Sequence, residues 1–217
     1  GGYATYECTE PYDPEEVTSL EFGYKGSLGE NTSLNASLFR YDYTDFQVLQ
    51  VVGIQTVTRN AGDATVNGLE LEALSNLNDS LSMSYGLTLL DATYGEFLNT
   101  NGLEPQLGQQ QLEGKYLNNA PKVSVNLGLN YTTNLSSGSS LTYRANAAYK
   151  SKIYFSEFNE YSQSAYTIVD LNLIWESADD RMRTRFYVKN ATDEEYISGY
   201  LSSATGGGRF GQWGYPR

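Results

Sequence analysis

The 217-residue chain carries 26 Asp and Glu against 14 Lys and Arg, and its formal charge of −12 excludes the basic surface that nucleic-acid phosphates require. It has no histidine, which removes Ser-His-Asp triads, Cys-His pairs and His-ligated zinc, and its one cysteine, Cys8, removes an internal disulfide and cysteine-based metal clusters. Mean hydropathy is −0.46 despite 19 Tyr and 40% hydrophobic residues, and no apolar run approaches the ~18 residues of a transmembrane helix. No charged and apolar leader opens the chain at Gly1, so any secretion signal is expected outside these residues.

A strict two-residue alternation organises most of the chain, and alternate side chains of a strand point to opposite faces. In Thr18 to Lys25 the apolar face is Leu20, Phe22 and Tyr24. A second strand is predicted from Thr32 to about Val52; Leu34, Ala36 and Leu38 keep one phase before Phe39, Tyr41 and Tyr43 appear on the other. That switch fits a bulge, an aromatic girdle or a strand rising above a membrane. A third strand is predicted over roughly Val57 to Leu74, where Leu69, Leu71 and Ala73 oppose Gly68, Glu70 and Glu72. Ser80 to Thr93 sets Leu81, Met83, Tyr85, Leu87 and Leu89 against Ser82, Ser84, Gly86 and Thr88. Lys122 to Thr132 repeats the pattern with Val123, Val125, Leu127, Leu129 and Tyr131.

Leu141 to Ser151 opposes Tyr143, Ala145 and Ala147 to Arg144, Asn146 and Lys150. Val169, Leu171, Leu173 and Trp175 oppose Asp170, Asn172 and Glu176, and in the last segment Thr184, Phe186 and Val188 oppose Arg183, Arg185 and Tyr187. Short turns at Ser27 to Asn31, Asn76 to Asp79, Asn134 to Ser139 and Ser177 to Arg181 alternate with longer links near Gly53, Gly95 to Pro121, Phe155 to Ser164 and Ile197 to Gln212. One greasy face, one wet face and loops of two lengths at opposite ends predict an antiparallel transmembrane β-barrel, its short turns periplasmic and its long loops outside. Lipid on the apolar face puts Glu21, Lys25, Glu70, Glu72, Arg144, Asp170, Arg183 and Arg185 in the lumen, where a water-filled pore and a polar plug are both compatible with them.

Several phrases resemble the C-terminal part of TonB-dependent outer-membrane receptors. They are Pro14-Glu15-Glu16-Val17-Thr18-Ser19-Leu20-Glu21, then Asn60-Ala61-Gly62-Asp63-Ala64 with Gly68-Leu69-Glu70-Leu71-Glu72 after it, then Asn119-Ala120-Pro121-Lys122, Val188-Lys189-Asn190-Ala191-Thr192-Asp193 and Gly214-Tyr215-Pro216-Arg217. The resemblance implies a 22-stranded plugged barrel of which residues 1–217 supply the C-terminal portion, with the plug domain, a TonB-contacting box and the closing strand expected elsewhere. It further implies active import of a scarce solute across the outer membrane of a Gram-negative bacterium, by default a ferric siderophore, with carbohydrate or another chelate as alternatives. A passive porin or small closed barrel is the rival of a different class, and a soluble all-β domain would have to hide the apolar faces between two sheets. The implied partners are outer-membrane lipid and lipopolysaccharide, the receptor's own plug, the TonB system and a small-molecule ligand.

No catalytic residues, cofactor or metal site are expected. Glu70 and Glu72 share a face and could serve as an acid/base couple or cation ligands, but a charged lumen needs internal partners, so they are expected to bond a plug or strands such as those bearing Arg183 and Arg185. Asp63, Asp91, Asp179-Asp180 and Asp193-Glu194-Glu195 lack the spacing of a calcium loop, and Gly206-Gly207-Gly208-Arg209 lacks the flanking strand and helix of a phosphate cradle. The aromatics of the loop from Tyr154 through Phe155 and Phe158 to Tyr161 are the ligand-binding candidates, since rings stack on siderophore rings or sugar faces. The alternative is a membrane-interface girdle for Tyr154 and Phe155 and packing between loops for the others.

Overall fold

A computed structural model describes residues 12–52, 55–60, 62–203 and 208–216; the stretch with Cys8, and Gly53, Ala61, Gly206, Gly207 and Arg217, lie outside them. In chain order the strands are β1 (Glu16–Leu28), β2 (Thr32–Thr44), β3 (Gln47–Val52), β4 (Gln55–Asn60), β5 (Ala64–Asn78), β6 (Leu81–Tyr94), β7 (Leu98–Thr100), β8 (Gln109–Gln111), β9 (Val123–Asn134), β10 (Ser140–Lys150), β11 (Ile153–Tyr154), β12 (Ser162–Gln163), β13 (Tyr166–Glu176), β14 (Arg183–Val188), β15 (Ile197–Ser203) and β16 (Gly208–Trp213). Eight of them form one antiparallel sheet, in the order β1-β2-β5-β6-β9-β10-β13-β14, so each wall strand lies beside the next wall strand of the chain. The pairs β3-β4, β7-β8, β11-β12 and β15-β16 are separate two-stranded sheets. All four extend from the same end of the wall, and among the described residues the other end carries tight reversals, as the alternation of link lengths requires.

Residues paired across a ladder share a face, and the registers carry one apolar face through the whole wall. Phe22 pairs with Leu38 and Leu38 with Leu69; Leu69 pairs with Leu89 and Leu89 with Val123. Further on, Leu127 pairs with Ala147 and Ala147 with Val169, and Leu171 pairs with Val188. This face is open: Phe22 is 79% exposed, Leu20 73% and Phe186 64%. No second sheet covers it among the described residues, so it requires an apolar surrounding such as lipid.

Two predicted strands are each divided in the structure. The chain leaves the wall after Thr44, where Asp45 takes a left-handed φ of 54°, a conformation Asp tolerates, and β3 then pairs with β4 alone. The stretch predicted from Val57 to Leu74 is likewise β4 and β5, separated by a turn in which Phe46 N–H donates to the Gly62 carbonyl at 2.8 Å.

The phase switch at Phe39 is not a bulge, because β1, β2 and β5 pair through it without a register shift. Phe39, Tyr41 and Tyr43 lie on the polar face, with Phe39 laid across its partner Gly68, where any Cβ would run into the ring. On the apolar face above Leu38 stand Arg40 and Asp42. Arg40 Nε and Nη2 donate to Asp42 at 2.8 and 2.7 Å, Nη1 reaches Asn67 Oδ1 at 3.3 Å, and Thr65 Oγ1 donates to Asp42 at 3.1 Å. This network marks where the apolar band ends. The wall's register shift falls instead between Asn76 and Asn78, beside a tight turn.

The turn after β13 is held by Asp179, which accepts from Ser177 Oγ at 2.7 Å and from Arg181 N–H at 3.3 Å. The Ser177 hydroxyl, then the Arg181 amide, hold its carboxyl below the usual carboxylate range.

The buried hydrophobic cluster lies at the loop end, while in the wall Ile174 of β13 is also buried. Ala64, Tyr94, Phe97, Leu112 and Phe158 form one cluster, with Tyr43, Phe46, Val48 and Leu117 packed against it. The links after β2, β6 and β10 all contribute, so they compose a single cap.

Candidate functional site

Two surfaces carry the candidate residues: the polar face of the wall and the cap above it. On the polar face, Glu70 and Glu72 from β5 stand with Glu21 and Lys25 from β1 around one shallow hollow. Arg144 from β10 and Arg183 and Arg185 from β14 line a second hollow with Asn146, Asn172 and Ile174. The register explains the grouping, since Lys25, Asn35 and Glu72 stand in one cross-strand row and Arg144, Asn172 and Tyr187 in another.

Glu70 and Glu72 do not bond Arg183 or Arg185. β5 is third in the sheet order and β14 last, so the width of the intervening strands separates them. Arg183 pairs with Glu176 at 3.4 Å, Arg185 Nε donates to Asn172 at 2.9 Å and stacks over Tyr187, and Arg144 Nε donates to Asn130 at 2.9 Å. Asp170 accepts the Asn190 backbone N–H at 2.8 Å, which fixes the start of the turn after β14. Among the described residues, Glu70, Glu72, Arg144 and Arg185 therefore enter no ion pair.

The four aromatic candidates separate into different settings. Phe158 is 5% exposed inside the cap core, so it packs between loops and presents no ring to solution. Tyr154 stacks on Tyr116 with centroids 6.0 Å apart, and Lys152 Nζ lies 4.5 Å from its ring. Lys122 Nζ donates to the Tyr116 hydroxyl at 2.5 Å, a bond that raises the ammonium above its ordinary pKa. Phe155 and Tyr161 both stack on Tyr200 of β15, at 5.4 and 5.5 Å and within 17° of parallel.

The link around Phe158 is pinned from below by polar contacts. Asn159, at φ 56°, mimics a backbone partner: its Oδ1 accepts Tyr116 N–H at 2.7 Å and its Nδ2 donates to the Tyr116 carbonyl at 2.8 Å. Lys115 Nζ donates to the Phe158 carbonyl at 2.8 Å, and buried Asn99 and Asn101 donate to Glu157 and Glu160 at 3.2 and 3.0 Å.

An amphipathic strip of antiparallel wall under a cap of linked loops is one part of a large barrel, and comparison with known proteins agrees. A family model described as TonB dependent receptor-like, β-barrel, matches residues 2–191. The chain belongs to this family. Its relatives include the Ferrioxamine B receptor of Salmonella typhimurium, 22% identical over 173 residues, which cover 78% of this chain and 23% of that protein. Among solved structures, the ferric yersiniabactin uptake receptor FyuA of Yersinia pestis matches at a TM-score of 0.77 and 21% identity, over 94% of this chain and 29% of its own. The siderophore receptor PiuA from Acinetobacter baumannii matches at 0.75 and 23% identity, over 94% and 28%. The chain thus spans about a quarter of the length of these relatives. As a member of the TonB-dependent receptor family it is a piece of an outer-membrane β-barrel, in a family of receptors and transporters.

The cap residues Tyr94, Phe97, Leu112, Asn99, Asn101, Tyr116 and Tyr200 are not legible as site residues in the sequence. Apart from Tyr94, which ends β6, they lie outside the alternating wall strands, and partners can be distant along the chain: Asn101 and Glu160, for example, are 59 residues apart. The signal that exists is composition, an aromatic-rich stretch in Tyr94-Gly95-Glu96-Phe97 and another in Tyr154-Phe155.

Proposed function

We propose that residues 1–217 form the C-terminal part of the wall of a plugged outer-membrane receptor that imports a ferric siderophore with energy from the TonB system. The observation that carries this reading is the set of charges on the polar face that find no ion pair among the described residues: Glu70, Glu72, Arg144 and Arg185. Ionised groups turned into an enclosed lumen need counter-charges or hydrogen-bond partners. A plug domain of the same receptor supplies them, with Glu70, Glu72 and Asp170 meeting basic or hydrogen-bond-donating plug residues and Arg144, Arg183 and Arg185 meeting acidic ones. Ligand capture in the cap and rearrangement of the plug are then linked by the ligand's preference for one plug state. The names of the relatives, receptors for ferrioxamine B and ferric yersiniabactin, favour an iron chelate over carbohydrate. The apolar face meets lipid, and the Arg40–Asp42 network stands at the level of lipopolysaccharide headgroups.

The test is uptake of radioactive iron by cells carrying the full-length receptor, with a panel of ferric chelates, in the presence and absence of TonB. Uptake of at least one chelate that disappears without TonB is the expected result. Iron entry that persists without TonB, or conductance from the purified receptor resembling an open pore, would replace this reading by the passive one.

A further inference from the structure

We propose that Lys122 and Lys152, set over the stacked rings of Tyr116 and Tyr154, bind the phosphorylated sugar headgroup of an outer-leaflet glycolipid on the outside of the wall. The proposal rests on the chain's place in an outer-membrane barrel and not on import. Register puts this group on the lipid side. Leu38, Leu69, Leu89 and Val123 form the last apolar row of the open face. Above it on the same face come Arg40, Asn67 and Asp91 in one row, then Asp42, Thr65, Thr93 and Tyr116 in the next. Tyr116 therefore points away from the cap interior, and its chain neighbours agree: Leu117 packs on the cap core and Lys115 Nζ reaches the Phe158 carbonyl, both on the other side. In the link after β10, Ile153 is buried and the next residue, Tyr154, stacks on Tyr116, with centroids 6.0 Å apart and planes 9° from parallel.

The stack holds two cations at this level. Lys122 Nζ lies 4.1 Å from the centre of the Tyr116 ring and Lys152 Nζ 4.5 Å from that of Tyr154. Both lysines are exposed, and neither enters an ion pair among the described residues. Arg40, lower on the same face, is by contrast neutralised by Asp42. Asp91 offsets part of the charge of Lys122, so two ammonium groups against one carboxylate leave a positive spot on a chain of net charge −12. A phosphate monoester, with a charge of about −1.5 to −2, matches that spot. Lys122 donates to the Tyr116 hydroxyl oxygen, which leaves the hydroxyl proton free to donate to a phosphate oxygen. Directly below, Leu89 and Val123 open onto the apolar face, where the acyl chains of the same lipid lie. Tyrosine rings and long lysine stems at such an edge suit a boundary between hydrocarbon and headgroups. A soluble anion would have no use for the apolar rows, and a solute bound for the lumen meets the opposite face.

The test is a titration of full-length receptor in detergent with diphosphoryl lipid A, with bound lipid counted by native mass spectrometry. Lys122→Gln combined with Lys152→Gln is expected to weaken binding about thirtyfold, since each lysine beside an anionic lipid surface contributes about fivefold. Lys122→Arg combined with Lys152→Arg keeps both charges and is expected to bind as the wild type does. Lys150→Gln is the control: Lys150 pairs with Ser124 and Tyr166 on the polar face, so its loss should change nothing. Monophosphoryl lipid A should bind the wild type more weakly than the diphosphoryl form, and millimolar inorganic phosphate should not displace the lipid. Equal binding by the wild type and the double glutamine variant overturns the proposal, as does an equal loss in Lys150→Gln. Displacement of the lipid by inorganic phosphate overturns it too, by assigning the lysines to a soluble anion. The titration uses neither iron nor TonB, so its outcome is separate from that of the import reading.

Discussion

Leu127 in the wall and Leu112 in the cap are the same side chain in opposite settings. Leu127 is 45% exposed on a continuous apolar face, whereas Leu112 is 0% exposed among Ala64, Tyr94, Phe97 and Phe158. The wall satisfies its backbone through long, regular ladders and leaves its apolar groups for the membrane to cover. The cap does the reverse, with ladders of two to six residues and an apolar core of its own. A segment in water outside the membrane has no lipid to cover it, so it must supply its own interior. The difference teaches that these outer links, with the outer ends of β5 and β6, have an interior of their own.

The largest effect that separates the two regions is expected at the cap core. Phe158→Ala should cost about 3 to 5 kcal/mol of local stability, as truncation of a buried Phe does, and the loss should be confined to the cap and the outer ends of β5 and β6, where Ala64 and Tyr94 meet the cluster. Hydrogen exchange on the full-length receptor would show faster exchange at Leu112, Gly114 and Lys115, whose amides donate to the carbonyls of Phe97, Tyr94 and Leu112, with the β9 and β10 ladders unchanged. Loss of protection in the wall as well would mean that the two regions unfold as one.

Next in size is the wall itself. Leu127→Arg puts a charge on the face that meets lipid and should cost about 2 to 4 kcal/mol near the midplane, while Asn126→Arg on the opposite face should be tolerated far better. Equal damage from the two in a membrane-folding titration would overturn the facing. Smaller still is Asn159→Ala, which removes both bonds to Tyr116 and should release about 1 to 3 kcal/mol from the link, seen as faster exchange of the Tyr116 amide alone.

How far each region can be read in the sequence depends on the same contrast. Wall facing is a period-two signal carried by each strand separately, so Val123, Val125, Leu127 and Leu129 reveal their common face without knowledge of β6 or β10. The side of the aromatics at Phe39 needs the pairing to β1 and β5, because only continuous register distinguishes a bulge from a strand that has passed the apolar band. Phe158 needs more. Its partners come from elsewhere, Ala64 and Tyr94 from the outer ends of β5 and β6 and Phe97 and Leu112 from another link, and no local pattern announces them. Phe155 and Tyr161 are legible as loop aromatics, yet the ring that lies against them, Tyr200, sits in another hairpin.

The smallest effect belongs to the turn end and tests whether that end is independent of both regions. Asp179 has a folded pKa below its unfolded value, chiefly because the Ser177 hydroxyl donates to it. Its contribution is therefore fully present above the ordinary carboxylate range and is lost as pH falls through the depressed folded value. Protection of the Arg181 amide, which donates to the same carboxylate, should decline over that acid window in the wild-type receptor. Asp179→Asn keeps an acceptor of similar shape but cannot titrate, so its Arg181 protection should be flat with pH. The cap amides of Leu112 and Tyr116 should show no difference between the two proteins, since Asp179 lies at the opposite end of the wall. A pH step of equal size in Asp179→Asn would assign the effect to another group, and a change in the cap would show that the wall transmits strain from its turns to its loops.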